Sequence, residues 1–349
     1  MNITYDDLPD SQKDTYRIQN FDFTKNAGIK QICPVPFKTI SVNGEGRGET
    51  FICACLGWLP VPVGDLLDFD CLEDIIASPR AQHIQSTMLD GSYRYCNIDV
   101  CQFGVAPVQY RNTEVPEVKL SEIVLVIDQS CNLTCPSCRT ELIFYKEGPE
   151  YDRRRNLLKH MNMMIAKYEH PLKMDLVGNG DPFASKLYIE FINELEFKHP
   201  DSTVLFRTNG LFLKNRWHMV KKIERNVRDF QISIDAFSKE TYEKVRRGAN
   251  WEKLLENLDW LHANIDARVC LMFVVQAANL DDMALTESFL SRYPGWRVHF
   301  QKILDWGTWN GAYESQAVWK HEHPRYADMQ AHVERLKPHL QRINTFELQ

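Results

Sequence analysis

The chain has 349 residues, 44% hydrophobic and 25% charged, with a formal net charge of −6. That apolar content buries one large core or two unequal ones. The acidic balance, with no basic stripe, offers little attraction to a polyanion and excludes nucleic acid as a main partner. The opening MNITYDDLPDSQKD lacks the cationic flank and apolar stretch of a secretory signal. The most apolar run, FICACLGWLPVPVGDLL, is broken by Gly and Pro and is too short to cross a bilayer. The expectation is a cytoplasmic protein with no membrane partner. In that reducing compartment ten cysteines are not five structural disulfides, so clustered ones bind metal or do redox chemistry.

After an extension at 1–30, residues 31–110 hold Cys33, Cys53, Cys55, Cys71, Cys96 and Cys101. FKTISVN and ETFICACL read as a hairpin joined by the glycine-rich NGEGRG, which brings Cys33 near Cys53 or Cys55. A helical window, LEDIIASPRAQHIQSTML, follows, with Cys71 at its start as a packing residue. Cys96 and Cys101, spaced C-x4-C, then close a four-thiolate set with Cys33 and Cys53, Cys55 being the possible substitute for Cys53. Structural zinc and an iron–sulfur centre both suit four thiolates. QYRNTEVPEVKL reads as a linker.

Beyond it the chain alternates short apolar runs with amphipathic windows. The expected strands are EIVLVID (122–128), KMDLVG (173–178), TVLFRT (203–208), DFQISID (229–235), RVCLMFVV (268–275) and WRVHFQK (296–302). Continuous apolar runs suit strands covered on both faces. Right-handed crossovers wind such units into a parallel sheet, either a partial (β/α)6 TIM-like barrel or an open doubly wound sheet. Both place ligands at the carboxyl ends of the strands. The fold class is therefore α/β, with a small amino-terminal α+β module.

CNLTCPSC, on the loop after the first of these strands, carries Cys131, Cys135 and Cys138 with no fourth cysteine close behind. A structural zinc site and a ferredoxin-type [4Fe-4S] site each want four protein ligands. Three thiolates on one loop instead hold three irons of a cubane and leave the fourth iron open.

With this C-x3-C-x2-C motif the segment from about 121 to 312 resembles the radical S-adenosylmethionine (SAM) superfamily. The resemblance implies an enzyme that reductively cleaves SAM at a [4Fe-4S] cluster and begins its reaction by abstracting a hydrogen atom. It also implies a reductant such as flavodoxin or ferredoxin. In VGNGDPFAS, Gly180, Asp181 and Pro182 align with the last three residues of the family's Gly-Gly-Glu-Pro, whose acid meets the ammonium of SAM, although a plain turn reads as well locally. Asn209 and Gly210 in RTNGLFL match a Thr-Asn-Gly frequent in the family. Ser233 and Asp235 in SIDAF point the same way along a strand and suit the ribose hydroxyls, while Asp235 equally suits a helix cap. Ser137 stands where many relatives have an aromatic residue near adenine. Cys270 reads as a small buried hydrophobe.

The amino-terminal cysteines resemble a SPASM or twitch auxiliary module holding [4Fe-4S] or [2Fe-2S], here placed before the radical domain instead of after it. In the tail, 313–349, PRYADMQAHVERLK reads as a helix, and His321 and His323 as solvated. Trp306, Trp309 and Trp319 seal the end of the sheet or line a substrate mouth. No residue is assignable as the substrate-side acid, base or radical relay. The substrate is a peptide, a sugar or another small molecule. Two other classes stay open, a non-catalytic iron–sulfur electron carrier and a zinc-stabilised binding module.

Overall fold

The structure, a computed structural model, describes residues 32–55, 57–97, 101, 114–176, 180–339, 341–345 and 348. The expected extension at 1–30 and Val177, Gly178 and Asn179 of the VGNG turn lie outside the described residues. The chain divides into two compact units, 1–127 with 147–175 and 194–203, and 128–146 with 176–193 and 204–349.

In the first unit the expected hairpin is present. β1 (Thr39–Asn43) and β2 (Glu49–Phe51) run antiparallel, with Ser41 opposite Phe51 and Val42 opposite Thr50. NGEGRG makes the turn because Gly46 and Gly48 adopt φ of +50° and +89°, where a side chain is strained. β2 also pairs with β3 (Gly64–Asp65). The parallel pairing of β1 with β4 (Glu122–Val126), in register from Thr39–Glu122 to Asn43–Val126, was not expected. With β5 (Lys173–Leu176) the order is β5-β4-β1-β2-β3, so the hairpin extends a sheet. TISVN is buried at every position because β1 lies between two strands and is covered on both faces.

The single helical window expected here splits into α1 (Leu72–Ile76) and α2 (Pro79–Leu89). Pro79 cannot continue a helix but fits a first turn, and Ser78 Oγ accepts from Ala81 N at 3.2 Å to cap it. α3 (Pro149–Ile165) sends buried Arg154 back to donate to the Ile127 carbonyl at the end of β4. A Cβ on Gly44 would lie 2.2 Å from that same oxygen, so only glycine fits beside the arginine.

In the second unit β6 (Thr203–Thr208, entered from Val204), β7 (Val227–Ser233), β8 (Arg268–Val275), β9 (Arg297–Lys302) and β10 (Ile343–Asn344) pair in parallel and in sequence order. This is an α/β fold with mostly parallel strands. One face buries Phe206, Phe230, Ile232, Phe273 and Phe300, whose rings pack at centroid distances such as 5.8 Å for Phe206–Phe230 and 5.0 Å for Phe273–Phe300. The other face presents Arg207, Gln231, Ser233, Cys270, His299 and Gln301, each incompletely buried. The expectation of apolar cover on both faces is corrected here, because VRDFQIS and RVHFQK alternate with a period of two. Among the described residues no helix is long and apolar enough to cross a membrane.

Candidate active site

The loop from Asp128 to Lys146 holds its cysteines through an internal hydrogen-bond frame. Asp128, 1% exposed, accepts from Ser130 N and Ser130 Oγ at 2.8 Å each, and its other oxygen accepts from Ser185 Oγ. Ser130 Oγ accepts from Tyr145 N at 3.0 Å, and Cys131 N donates to Ile143 O at 3.1 Å, which draws the two limbs of the loop together. Cys138 N donates to Cys135 O at 2.9 Å, forming the tight turn of CPSC. Thr134 N donates to Arg247 O at 3.1 Å while Arg247 Nε donates to Thr134 O at 3.0 Å, tying the loop to the segment after α4 (Lys239–Val245) in the sequence KVRRG.

Cys131 and Cys135 are buried and Cys138 is exposed, and among the described residues, which include all ten cysteines, no disulfide forms. All three thiols of the loop line a cavity of about 450 Å³ together with Gly180, Asn209, Ser233, Arg246 and Trp306. Burial pushes the Cys131 thiol up to about 11, with Asp181 adding to the effect and Arg139 opposing it. Cys135 is likewise raised by burial and pulled back by Arg246, whose Nη1 lies 3.7 Å from its sulfur. Each buried thiol therefore has a guanidinium placed to favour its thiolate. Among the described residues no group of three or more Cys, His, Asp or Glu side chains gathers around a single metal-sized point. The donor set, three thiols with cations beside two of them, suits a cubane, whose thiolates attach to separate irons.

The other expected contacts fare differently. Asn209 and Ser233 line the cavity, and Asn209 Nδ2 donates to Asn132 Oδ1 at 2.9 Å and approaches Cys131 Sγ at 3.9 Å. Gly180 lines it too, but its missing side chain serves the protein: a Cβ would lie 2.4 Å from Ser130 O, which Asp181 N meets at 2.8 Å. Asp181 is turned toward the protein's own donors. Its carboxylate, 2% exposed, accepts from Phe183 N (2.9 Å), Ala184 N (3.2 Å), Thr208 Oγ1 (2.7 Å) and Asn209 N (2.7 Å), so both oxygens are occupied by the protein.

Asp235 is neither exposed to a ribose nor a cap. It sits beyond β7 at φ +55°, 2% exposed, accepting from Val274 N at 2.8 Å and facing Arg246 Nε at 2.9 Å in a buried ion pair that is not a straight hydrogen bond. The capping role falls to Asp282, which accepts from Phe237 N at 2.7 Å and Ser238 N at 2.8 Å. Cys270 lies on the polar face of β8 and is not fully buried. Trp306 is 60% exposed beside the cavity, not a seal, and Thr308 Oγ1 two residues on donates to Pro136 O at 2.7 Å. His321 is exposed as expected, and His323 is partly covered.

Arg246 and Asp128 were not singled out from sequence. The signal for the first was the Arg-Arg-Gly that ends the KETYEKV window, and for the second the acid at the carboxyl end of EIVLVID.

In the first unit, Cys53 is 6% exposed and its thiol is held well above the usual range by burial, with Cys101, Cys96 and Cys33 close enough to add to the effect. A backbone N–H from Cys55 to the Cys53 sulfur opposes it. Cys33 N donates to Tyr93 Oη at 2.6 Å, Cys96 N to Tyr93 O at 2.9 Å and Cys101 N to Asn97 O at 3.0 Å, so one tyrosine organises two of these cysteines.

Residues 125–290 match the family described as the Radical SAM superfamily. GTP 3',8-cyclase of Hydrogenovibrio crunogenus is 24% identical over 172 residues, 47% of this chain and 49% of its own. GTP 3',8-cyclase of Aliarcobacter butzleri is 25% identical over 145 residues, 40% and 42% of the two chains. The chain spans about half the length of these curated relatives. Among solved structures, Streptococcus suis SuiB bound to precursor peptide SuiA is similar over 64% of this chain and 48% of that one, at 12% identity and a TM-score of 0.45. The match to a radical SAM domain thus covers 125–290, just under half of the chain.

Proposed function

We propose that the chain is a radical SAM enzyme whose Cys131, Cys135 and Cys138 hold a [4Fe-4S] cluster with one open iron. The observation that carries this reading is the loop itself, which turns three thiols and no fourth toward one cavity and sets Arg139 and Arg246 beside the two buried ones. When bound and reduced, the cluster supplies the electron that cleaves SAM to a 5′-deoxyadenosyl radical, the species that abstracts a substrate hydrogen. Arg246 offsets the thiolate charge, and Asp235 holds Arg246 in place. Asn209 and Ser233 offer hydrogen bonds at the strand ends, where SAM's amino acid and ribose groups need them. Trp306, the one aromatic ring among the described lining residues, offers adenine the stacking surface that Ser137 cannot.

The reading extends to the first unit, where Cys33, Cys53, Cys96 and Cys101 hold a second iron–sulfur centre in a SPASM-like module placed before the radical domain. The closeness of three cysteines to Cys53 supports this set, and favours Cys53 over Cys55. A flavodoxin or ferredoxin supplies electrons in this scheme. The test of the central claim is dithionite-driven release of 5′-deoxyadenosine from SAM by the anaerobically reconstituted chain. Cys131, Cys135 and Cys138 replaced together by alanine should abolish it, and persistence of cleavage in that variant sinks the reading.

A further inference from the structure

The polar face of the second unit continues the cavity down its strands. Ser233 lines the cavity, and Gln231, two positions earlier on β7, shares its side of the sheet about 7 Å deeper. In register beside Gln231 stands Cys270 on β8, and beside Ser233 stands Met272, 9% exposed.

The charged groups of this region are already spent within the protein. Arg139 Nη1 donates to Gln129 O at 2.7 Å, Arg246 faces Asp235 at 2.9 Å, and Arg207 is engaged as well. Asp181 holds four hydrogen bonds, and Asp229, further down the face, holds Arg268 through bonds of 2.7 and 2.8 Å. The described lining residues include no carboxylate. Arg297, in register with Cys270, is exposed at the start of β9, where water and salt screen its charge.

Gln231 stands apart from this pairing. Its Oε1 is buried with no hydrogen-bond partner, a standing cost that no contact within the described residues repays. A side-chain amide carries an acceptor and a donor on one edge, and its complement is another edge with N–H and C=O side by side.

We propose that Gln231 anchors the substrate, and that the substrate is an uncharged small molecule bearing a primary carboxamide or a ring lactam. Both groups set a donor beside an acceptor, so two hydrogen bonds form with Gln231 at once, as when a glutamine amide reads the edge of a base. A trans peptide bond points its N–H and C=O to opposite sides and cannot pair in this way. The last torsion of a glutamine side chain is soft, which lets Oε1 turn to an arriving ligand. Met272, one pair along, gives the ligand's carbon skeleton an apolar, adaptable surface. This anchor deepens the proposed function and rests on its assignment of the cavity to SAM and substrate.

Cys270, in register with Gln231, is the reporter. Burial pushes its thiol up to about 11, so the anaerobically reconstituted full chain is treated at alkaline pH with methyl methanethiosulfonate, a neutral thiol reagent without an N–H. Modification of Cys270 is followed by peptide mass spectrometry. Neither SAM nor radical chemistry is involved, so failure here is separable from failure of 5′-deoxyadenosine release. Acetamide or 2-pyrrolidinone at about 50 mM, a level suited to ligands of so few atoms, should slow modification by about twofold or more. N-Methylacetamide, whose N–H and C=O are trans, should not. Slowing by acetamide alone identifies a carboxamide, and by 2-pyrrolidinone alone a lactam. Gln231→Met keeps the length and removes the amide, so it should abolish protection while thermal unfolding stays where it was or rises, since no partner is lost. The proposal is overturned if neither amide protects, if N-methylacetamide protects equally, or if the methionine variant is still protected. A clear fall in that variant's unfolding temperature would make Gln231 a structural residue and overturn it too.

Discussion

Asp181 shows how a site residue acquires its role from its donors. Its two oxygens take four hydrogen bonds, from two backbone N–H groups of its own turn on one side and from Thr208 and Asn209 on the other. In Asp181→Asn one oxygen becomes an NH2 group. Thr208 can turn its hydroxyl to accept from that group, but Asn209 N, Phe183 N and Ala184 N cannot accept. At least one charge-assisted bond is lost, worth about 1.5–3 kcal/mol. The variant should lose about that much stability in thermal or urea unfolding. Were the carboxylate instead the partner of a ligand ammonium, stability would hold and only SAM affinity would fall. At the mouth of the cavity Trp306 makes the opposite case, a large apolar side chain left 60% exposed. Stacking of a base on an aromatic ring is worth about 1–3 kcal/mol. Trp306→Ala should therefore weaken equilibrium SAM binding by about tenfold or more, with Trp306→Phe restoring most of it. Unchanged affinity in the alanine variant removes adenine from Trp306.

Elements were legible in the sequence where one periodicity ruled. TVLFRT and RVCLMFVV form strands over the expected residues, and the hairpin around NGEGRG is where turn chemistry places it. What escaped was long-range. The burial of TISVN, polar at three of its five positions, is explained only by its position between β2 and β4, a pairing that nothing local in either segment specifies. Gln231 and His299 hid the polar face inside runs that read as buried. Asp235 satisfied two local readings, yet its charge is met by Arg246 from the far end of the next helix. The cysteine motif was legible because eight residues of chain suffice to place three thiols; its frame was not, because Asp128, Ser185 and Arg247 come from different segments. The loops are also coupled by close approach. Gly180→Ala would push a Cβ to 2.4 Å from Ser130 O, and because that neighbour is backbone, the loop must move. Since Ser130 adjoins Cys131, the variant should load less iron at the triad while its far-ultraviolet circular dichroism stays close to wild type. Full iron loading would show that the loop yields without cost to the cysteines.

For the whole chain, the two units make separate statements about metal. On the proposed reading the triad leaves an iron open, whereas Cys33, Cys53, Cys96 and Cys101 supply four thiolates, three of them near enough to act on the buried Cys53 sulfur. Anaerobically reconstituted wild type should carry about eight irons per chain, four for each cubane, and the triad-to-alanine variant about four. Adding SAM should perturb part of the reduced wild-type paramagnetic resonance spectrum, the part that belongs to an iron with a free coordination position. In the triad variant SAM should change nothing, because every iron that remains is held by a cysteine. About two irons in that variant point to a [2Fe-2S] centre on the same cysteines. Stoichiometric zinc, with little acid-labile sulfide, would overturn the auxiliary assignment while leaving the radical SAM domain as it stands, since four thiolates around one zinc would meet the same burial and charge. Cys53→Ser and Cys55→Ser then decide which sulfur ligates. Burial and three neighbouring cysteines place the loss on Cys53, whose replacement should remove the residual iron of the triad variant. Cys55→Ser should leave it bound, and the reverse pattern would hand the ligand position to Cys55.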